Sequence, residues 1–310
     1  MLHYGCVGTA ITNKVQYVDG SSIDGLMGGT AYGLEGVRFW TDDCFMVSRN
    51  GADFDEYYGE WFDKNKIPRA GMTTVCEKGV YNVVEYNPDG TYHEHSVVYA
   101  PGQAEIMFGM MIPSHVDMLS TVATAKGYYI CQGVNDVFWE NVDKLRRQYG
   151  FKVMYEILTS DCKAENLEKL KKTIACVDMV SLNLPECRDI FGVETEEECI
   201  AKLQELDVEY ILFRCGEKGL YTIEGDKCTF IPCMRYDGPV QDPTGCGNSS
   251  TAAAMWAYCE GYDYITSGIV ANVTAHYNVR QYGPCLEMTK ELRKEMWDHV
   301  KRFRAEYPEA

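Results

Sequence analysis

The sequence predicts an α/β fold of three layers: a central, mostly parallel sheet with helices on both faces, joined by a small antiparallel β insertion. Three observations carry this. Short apolar runs alternate with amphipathic runs of helical spacing over most of the chain, which marks repeated strand–helix units. Between about residues 70 and 100 that rhythm gives way to Val-, Tyr- and Thr-rich alternation around a turn signal. The length of 310 residues, 46% of them hydrophobic, suffices for one large core, and no linker or internal repeat divides it.

The elements follow in order. HYGCVGTAI, from His3, is a run of apolar and small residues that suits a buried first strand. Gly28 and Gly29 interrupt the next segment. CFMVSRNGADF reads as a strand and a turn, and DEYYGEWFDKNKI as a helix stopped by Pro68. TTVCEKGVYNVVEYNPDGTYHEHSVVY reads as a β hairpin about NPDG. Strand–helix alternation then resumes: YYICQG, then the amphipathic NDVFWENVDKLRRQY closed by Gly150; FKVMYEIL, then KAENLEKLKKTIA; VDMVSLN, then TEEECIAKLQEL; and EYILFRCG. A short hairpin, GLYTIEGDKCTFIP, leads to a Gly-rich turn and an Ala-rich helix that begins near Ser249.

Composition narrows the function. The chain carries 29 basic and 46 acidic residues, a net of −17, which disfavours nucleic acid and anionic membranes as partners. A small anion is still compatible, because backbone amides can make a local positive site. No apolar run is long enough to cross a bilayer, and the first residues do not read as a signal peptide. The fourteen cysteines are scattered without a CxxC pair, which fits buried thiols in a reducing cytoplasm.

Parallel sheets bind ligands at the carboxyl ends of their strands. Three segments stand there. In DPTGCGN, Gly245, Cys246 and Gly247 precede a helix whose first amides have no partner within it, an arrangement suited to phosphate; a tight packed turn is the plainer account of such a stretch alone. In NLPE, Asn183 and Glu186 suit a hydrated magnesium ion, or simply a helix cap. In CGEKG, Gly216 and Gly219 let a nucleotide approach the backbone, or form an ordinary turn.

Taken in order, with the di-glycine Gly28–Gly29 and the Gly51-x-Asp53 turn, these segments resemble the ribokinase-like, or phosphofructokinase B, family of carbohydrate and nucleoside kinases. The resemblance runs from about residue 3 to 300. It implies one ribokinase-like domain over 1–310, with a β lid from about 9–35 and 70–100, ATP and Mg2+ as cofactors, and a sugar or nucleoside as acceptor. It implies that Gly245, Cys246 and Gly247 form the anion hole, Asn183 and Glu186 organise magnesium and phosphate, and Gly216, Gly219 and Asn272 border the nucleotide. Asp242 and Thr244 would shape a monovalent-cation loop, with Glu186 and these two as the metal set. Asn13, Gly28, Gly29 and Gly33 would face the acceptor, and the lid edge offers a route to a homodimer.

The sequence departs from that family on the acceptor side. The general-base Asp is Asn248, an amide that can orient a hydroxyl but cannot take its proton. A sugar-binding Asp aligns with Asn13 and an Asn with Gly33. Two readings follow: a kinase with an altered acceptor site, or a pseudokinase that binds nucleotide or metabolite as a sensor or regulatory subunit. Glu35 and Asp42 are candidate substitute bases. His93 and His95 share one face of a lid strand, as substrate contacts or as an exposed polar face. Cys246, at a helix N-terminus, reads as a reactive thiol or as a small filler.

Overall fold

A computed structural model describes residues 2–88, 92–100, 102–235, 238 and 240–307. The elements are β1 (Tyr4–Val7), β2 (Ala10–Gln16), β3 (Ser22–Gly29), α1 (Thr30–Arg38), β4 (Cys44–Gly51), α2 (Phe54–Lys64), β5 (Gly71–Cys76), β6 (Val80–Tyr86), β7 (Tyr92–Ser96), α3 (Gln103–Met111), β8 (Gly127–Cys131), α4 (Asp136–Tyr149), β9 (Lys152–Glu156), α5 (Leu167–Ile174), β10 (Met179–Asn183), α6 (Leu184–Phe191), α7 (Glu196–Gln204), β11 (Tyr210–Arg214), β12 (Gly219–Glu224), β13 (Lys227–Pro232), α8 (Cys246–Cys259), α9 (Tyr264–Asn278) and α10 (Lys290–Arg304).

Among the described residues the main sheet has nine strands in the order β13-β12-β11-β10-β9-β8-β1-β4-β5. It is parallel from β5 to β11 and antiparallel at β11-β12-β13. Side chains alternate along each strand, so a strand covered on both faces must be apolar at every position. In β8, Tyr129 faces one cluster with α1, α8 and α9, while Tyr128 and Ile130 face the other with α4, α5, α6 and α7. β9 repeats the division with Met154 against Val153 and Tyr155.

Local signals start the helices on the second face. The Asn135 side chain accepts from the Phe138 N–H at the head of α4, and Thr195 with Glu198 forms a reciprocal cap on α7. On the first face, α8 is buried from Ser249 to Ala257, and its first buried residues, Ser249 to Ala254, are small. Their size lets α1 cross it closely, with Gly36 of α1 against the Ser249 carbonyl.

The second sheet has the order β3-β2-β6-β7. It differs from the expected lid in three ways. β5, read with the insertion, instead pairs parallel with β4 in the main sheet; a Thr/Val run suits either sheet, and only its partner decides. β2 and β6 run parallel, so the lid is not wholly antiparallel. Residues 30–35, within the expected lid, form most of α1. Of the NPDG turn, Asp89 and Gly90 lie outside the described residues. The helix α3 carried no signal in the sequence: QAEIMFGMM is apolar almost throughout, and Ile106, Phe108 and Met110 are exposed. Among the described residues no helix is long and apolar enough to cross a membrane.

Candidate active site

The last residues of four adjacent parallel strands lie at one edge: Cys131 of β8, Glu156 of β9, Asn183 of β10 and Arg214 of β11. The head of α8 stands over them. The helix begins at Cys246, not near Ser249, because Gly245 caps it in the left-handed region with φ 80° and ψ −6°. A side chain at 245 would collide with the Tyr32 ring, 2.1 Å from a built Cβ, so conformation and space both require glycine. The Cys246 N–H donates to the Pro243 carbonyl at 3.2 Å. The Gly247 and Asn248 N–H groups have no acceptor among the described residues. Of the three residues expected to form an anion hole, Cys246 has its amide spent inside the turn. Burial pushes its thiol up to about 12, against the low pKa of a reactive thiol, and it accepts a hydrogen bond from Asn278 Nδ2 at 3.2 Å. It fills space.

Asn248 belongs to a chain of hydrogen bonds. Its Nδ2 donates to the Tyr129 hydroxyl at 2.8 Å, and Tyr129 donates to Glu156 Oε2 at 2.7 Å. The phenol has one proton and gives it to the carboxylate, so residue 248 must be a donor. An amide meets that demand and an ionised Asp does not. The Tyr129 ring is buried and occupies the space beside Gly33, where a Cβ would fall 2.5 Å from a ring carbon. Two departures from the family pattern, Gly33 and Asn248, therefore meet on one ring. Asn13 stands apart on β2, with its Oδ1 buried and unpartnered among the described residues and its Nδ2 against Gly28. Gly28 is the next-to-last residue of β3, and its N–H reaches the Tyr58 hydroxyl at 3.3 Å; Gly29 caps α1 at φ 56°.

Glu156 is buried, which raises its carboxyl above the ordinary range against the pull of Arg214 and Tyr129. Arg214 Nη2 lies 3.0 Å from Glu156 Oε1 and 3.9 Å from Glu186 Oε2. Asn183 and Glu186 form the capping box of α6: Glu186 N–H to Asn183 Oδ1 at 2.9 Å, and Asn183 N–H to Glu186 Oε2 at 2.7 Å. Thr159 donates to Glu186 Oε1 at 2.7 Å.

The remaining candidates surround this edge. Gly216 turns out of β11 beside open space, while Gly219 packs on the Ile231 carbonyl with a built Cβ at 2.1 Å. Asn272 of α9 fastens the exit of β13, accepting from Met234 N–H at 2.9 Å and donating to the Pro232 carbonyl at 2.7 Å. Asp242 Oδ1 accepts from the Thr244 N–H at 2.9 Å, and its Oδ2 is buried without a partner among the described residues. The second sheet reaches the same turn: the Tyr86 hydroxyl lies 3.0 Å from Thr244 Oγ1, Tyr17 stacks on Tyr86, and Tyr282 leans on Tyr17. Asp53 accepts from Gly79 N–H at 2.7 Å, tying the start of β6 to the end of β4.

Neither substitute base stands in the network. Asp42 is on the surface, paired with Arg38 and Arg293. Glu35 is fully buried and holds the 281–285 loop, accepting from Cys285 N–H at 2.6 Å and Gln281 Nε2 at 3.0 Å; burial pushes it up to about 8. His93 and His95 are exposed on β7. The residues the sequence reading passed over are Tyr129, Glu156 and Arg214. Their signal was a polar or charged residue within or ending an apolar strand run, which is rare unless the group is paired.

The model of the pfkB family of carbohydrate kinases matches residues 42–291. An uncharacterized protein of Schizosaccharomyces pombe is 21% identical over 315 residues, covering 89% of this chain and 84% of that one. An adenosine kinase from Sinorhizobium meliloti superposes with a TM-score of 0.76 at 14% identity, covering 96% of this chain and 99% of the other. A ribokinase from Arabidopsis thaliana, solved with ribose and ATP, gives 0.76 at 19% identity, covering 96% and 98%. With most of the chain inside that match, and the four-strand edge and helix head in place, the protein belongs to the pfkB family of carbohydrate kinases.

Proposed function

We propose that this chain transfers the γ-phosphoryl group of ATP to a hydroxyl of a sugar or nucleoside. The observation that carries the reading is the pair of amides, Gly247 and Asn248, unpartnered among the described residues, at the head of a buried helix beside Arg214 and the Asn183–Glu186 turn. Such amides, with the helix dipole behind them, favour the charge of a transferring phosphoryl group. The sugar and nucleoside kinases of the same fold support the acceptor class.

The residues fit magnesium held through its waters. Each Glu186 oxygen accepts one hydrogen bond, with Arg214 3.9 Å from Oε2, and has lone pairs to spare, while among the described residues no group of three His, Cys, Asp or Glu could hold a metal directly. The ion, when bound, would neutralise phosphate charge. The orphan Asp242 Oδ2 suits a monovalent cation at the turn. Gly216 and Asn272 would line the nucleotide, and Gly28, Gly29 and Asn13 the acceptor. Asn248 keeps its amide nitrogen on Tyr129, so its Oδ1 is the atom left to accept a hydrogen bond from the acceptor hydroxyl. It orients that hydroxyl and leaves its proton to solvent.

A missing general base costs about 10²–10⁴ in rate, whereas phosphoryl transfer draws mainly on positioning and charge. Turnover is therefore slow but measurable. The test is ADP formation from ATP and Mg2+ against a panel of sugars and nucleosides. One or more should raise it above the acceptor-free rate. ATP binding with no turnover on any of them would instead establish the pseudokinase.

A further inference from the structure

Resting on that reading, we propose that Arg214 is a phosphate-binding residue, the fixed positive charge against which nucleotide phosphate oxygens are held beside Gly247. Three observations meet at its guanidinium. A methyl group on Gly247 would stand 1.9 Å from Nη1, so the fork is in contact with a residue whose N–H is open at the head of α8. Only Nη2 is spent on a carboxylate at short range, Glu156 at 3.0 Å; Glu186 is at 3.9 Å. Nη1 makes no hydrogen bond among the described residues, and Nε is buried without a partner among them.

An arginine whose sole task was to neutralise Glu156 would turn two N–H groups onto it, since a bidentate pair is the stronger geometry. Nη1 is open to solvent, where an anion can reach it, and leaving the buried Nε–H of the same cation unpaired is costly. The electrostatics agree. Glu156 and Glu186 border the helix head in a chain of net charge −17, and without a cation between them they would repel a phosphate. Arg214 offsets both and still has donors left. It keeps its pair with Glu156 when phosphate binds, so no buried charge is uncovered.

The test is calorimetric binding of ATP and of adenosine to the full chain and to three variants: Arg214→Met, Arg214→Lys, and the double variant Glu156→Gln/Arg214→Met, which removes the ion pair as a unit. ATP affinity should fall about ten- to hundredfold in Arg214→Met and in the double variant, as expected for losing hydrogen bonds to a charged group. Adenosine affinity should not change. Arg214→Lys keeps the charge but loses the planar fork, and should fall between. A folded double variant that binds ATP as tightly as the native chain overturns the assignment while leaving the kinase reading intact. So does an equal loss for ATP and adenosine. If the double variant fails to fold, Arg214→Lys decides: undiminished ATP affinity overturns the proposal. A native chain that binds no ATP removes the kinase reading and this inference together.

Discussion

At position 248 the choice between amide and carboxylate is set by the proton on the next residue along the hydrogen-bond chain. Tyr129 gives its hydroxyl proton to Glu156, so the group opposite must donate. Asn248→Asp brings a second carboxylate to a phenol that cannot serve both, and one of the two acids must take up a proton. We expect this variant to melt below the native chain at neutral pH and to regain stability as pH falls and the extra proton binds. A base freed in this way would act only above the raised pKa of the pair, so any gain in turnover should appear on the alkaline side of a pH–rate profile. Tyr129→Phe removes the link itself. It takes the Tyr129 partner from Glu156 Oε2 and leaves Asn248 Nδ2 only the Cys131 sulfur at 4.0 Å, a loss of about 1–3 kcal/mol in chemical denaturation. Because Asn248 is then free to turn, kcat should fall more than KM. A change in stability alone, with kcat intact, would show that the phenol is only filling.

Among elements, the crossing of α1 and α8 is the contact that fixes the head of the site. Gly36 lies so close to α8 that a Cβ would be 2.0 Å from the Ser249 carbonyl oxygen, a backbone atom that cannot step aside. Gly36→Ala gains about 1 kcal/mol of helix propensity. It loses more by pushing the helices apart, typically about 1–3 kcal/mol for an overpacked core. The net change should be a lower Tm, with weaker ATP binding because the same displacement shifts the Gly247 and Asn248 amides. An unchanged Tm would mean that the crossing yields. Most of the elements are legible in the sequence. NDVFWENVDKLRRQYG carries a cap, an apolar stripe and a closing glycine, and it forms α4 as expected. What escaped was set at long range. β5 has the same composition as a lid strand and is assigned by its partner β4; α3 is apolar without period; and the pairing of β2 with β6 joins segments about seventy residues apart. The site divides likewise. Gly245, Gly247, Asn183 and Glu186 were visible because backbone geometry and capping leave local patterns. Tyr129, Glu156 and Arg214 were not, because each is an ordinary strand residue until neighbouring strands bring their ends together.

On the scale of the whole molecule, one buried carboxyl couples stability to pH. Glu35 joins α1 to the loop before α10 and is pushed up to about 8, whereas an unfolded glutamate titrates near about 4.3. The native state therefore holds a proton that the unfolded chain has released. Its contribution is complete below about pH 4 and is lost as pH rises toward 8, by up to about 1.4 kcal/mol for each pH unit crossed. Glu35→Gln keeps an acceptor for the Cys285 amide and cannot ionise. Relative to the native chain it should gain Tm steadily between about pH 6 and pH 8, and a constant difference would show that Glu35 is already charged when folded. The Tyr129 ring has a consequence of another kind. It shares a single volume with the missing side chain of residue 33, and its hydroxyl dictates the chemistry of residue 248. A lineage cannot restore a bulky residue at 33 while the ring stays, nor discard the ring without stranding the amide. Positions 33, 129 and 248 should thus be inherited as a block, and related sequences that carry tyrosine at the middle one should carry glycine and asparagine at the others.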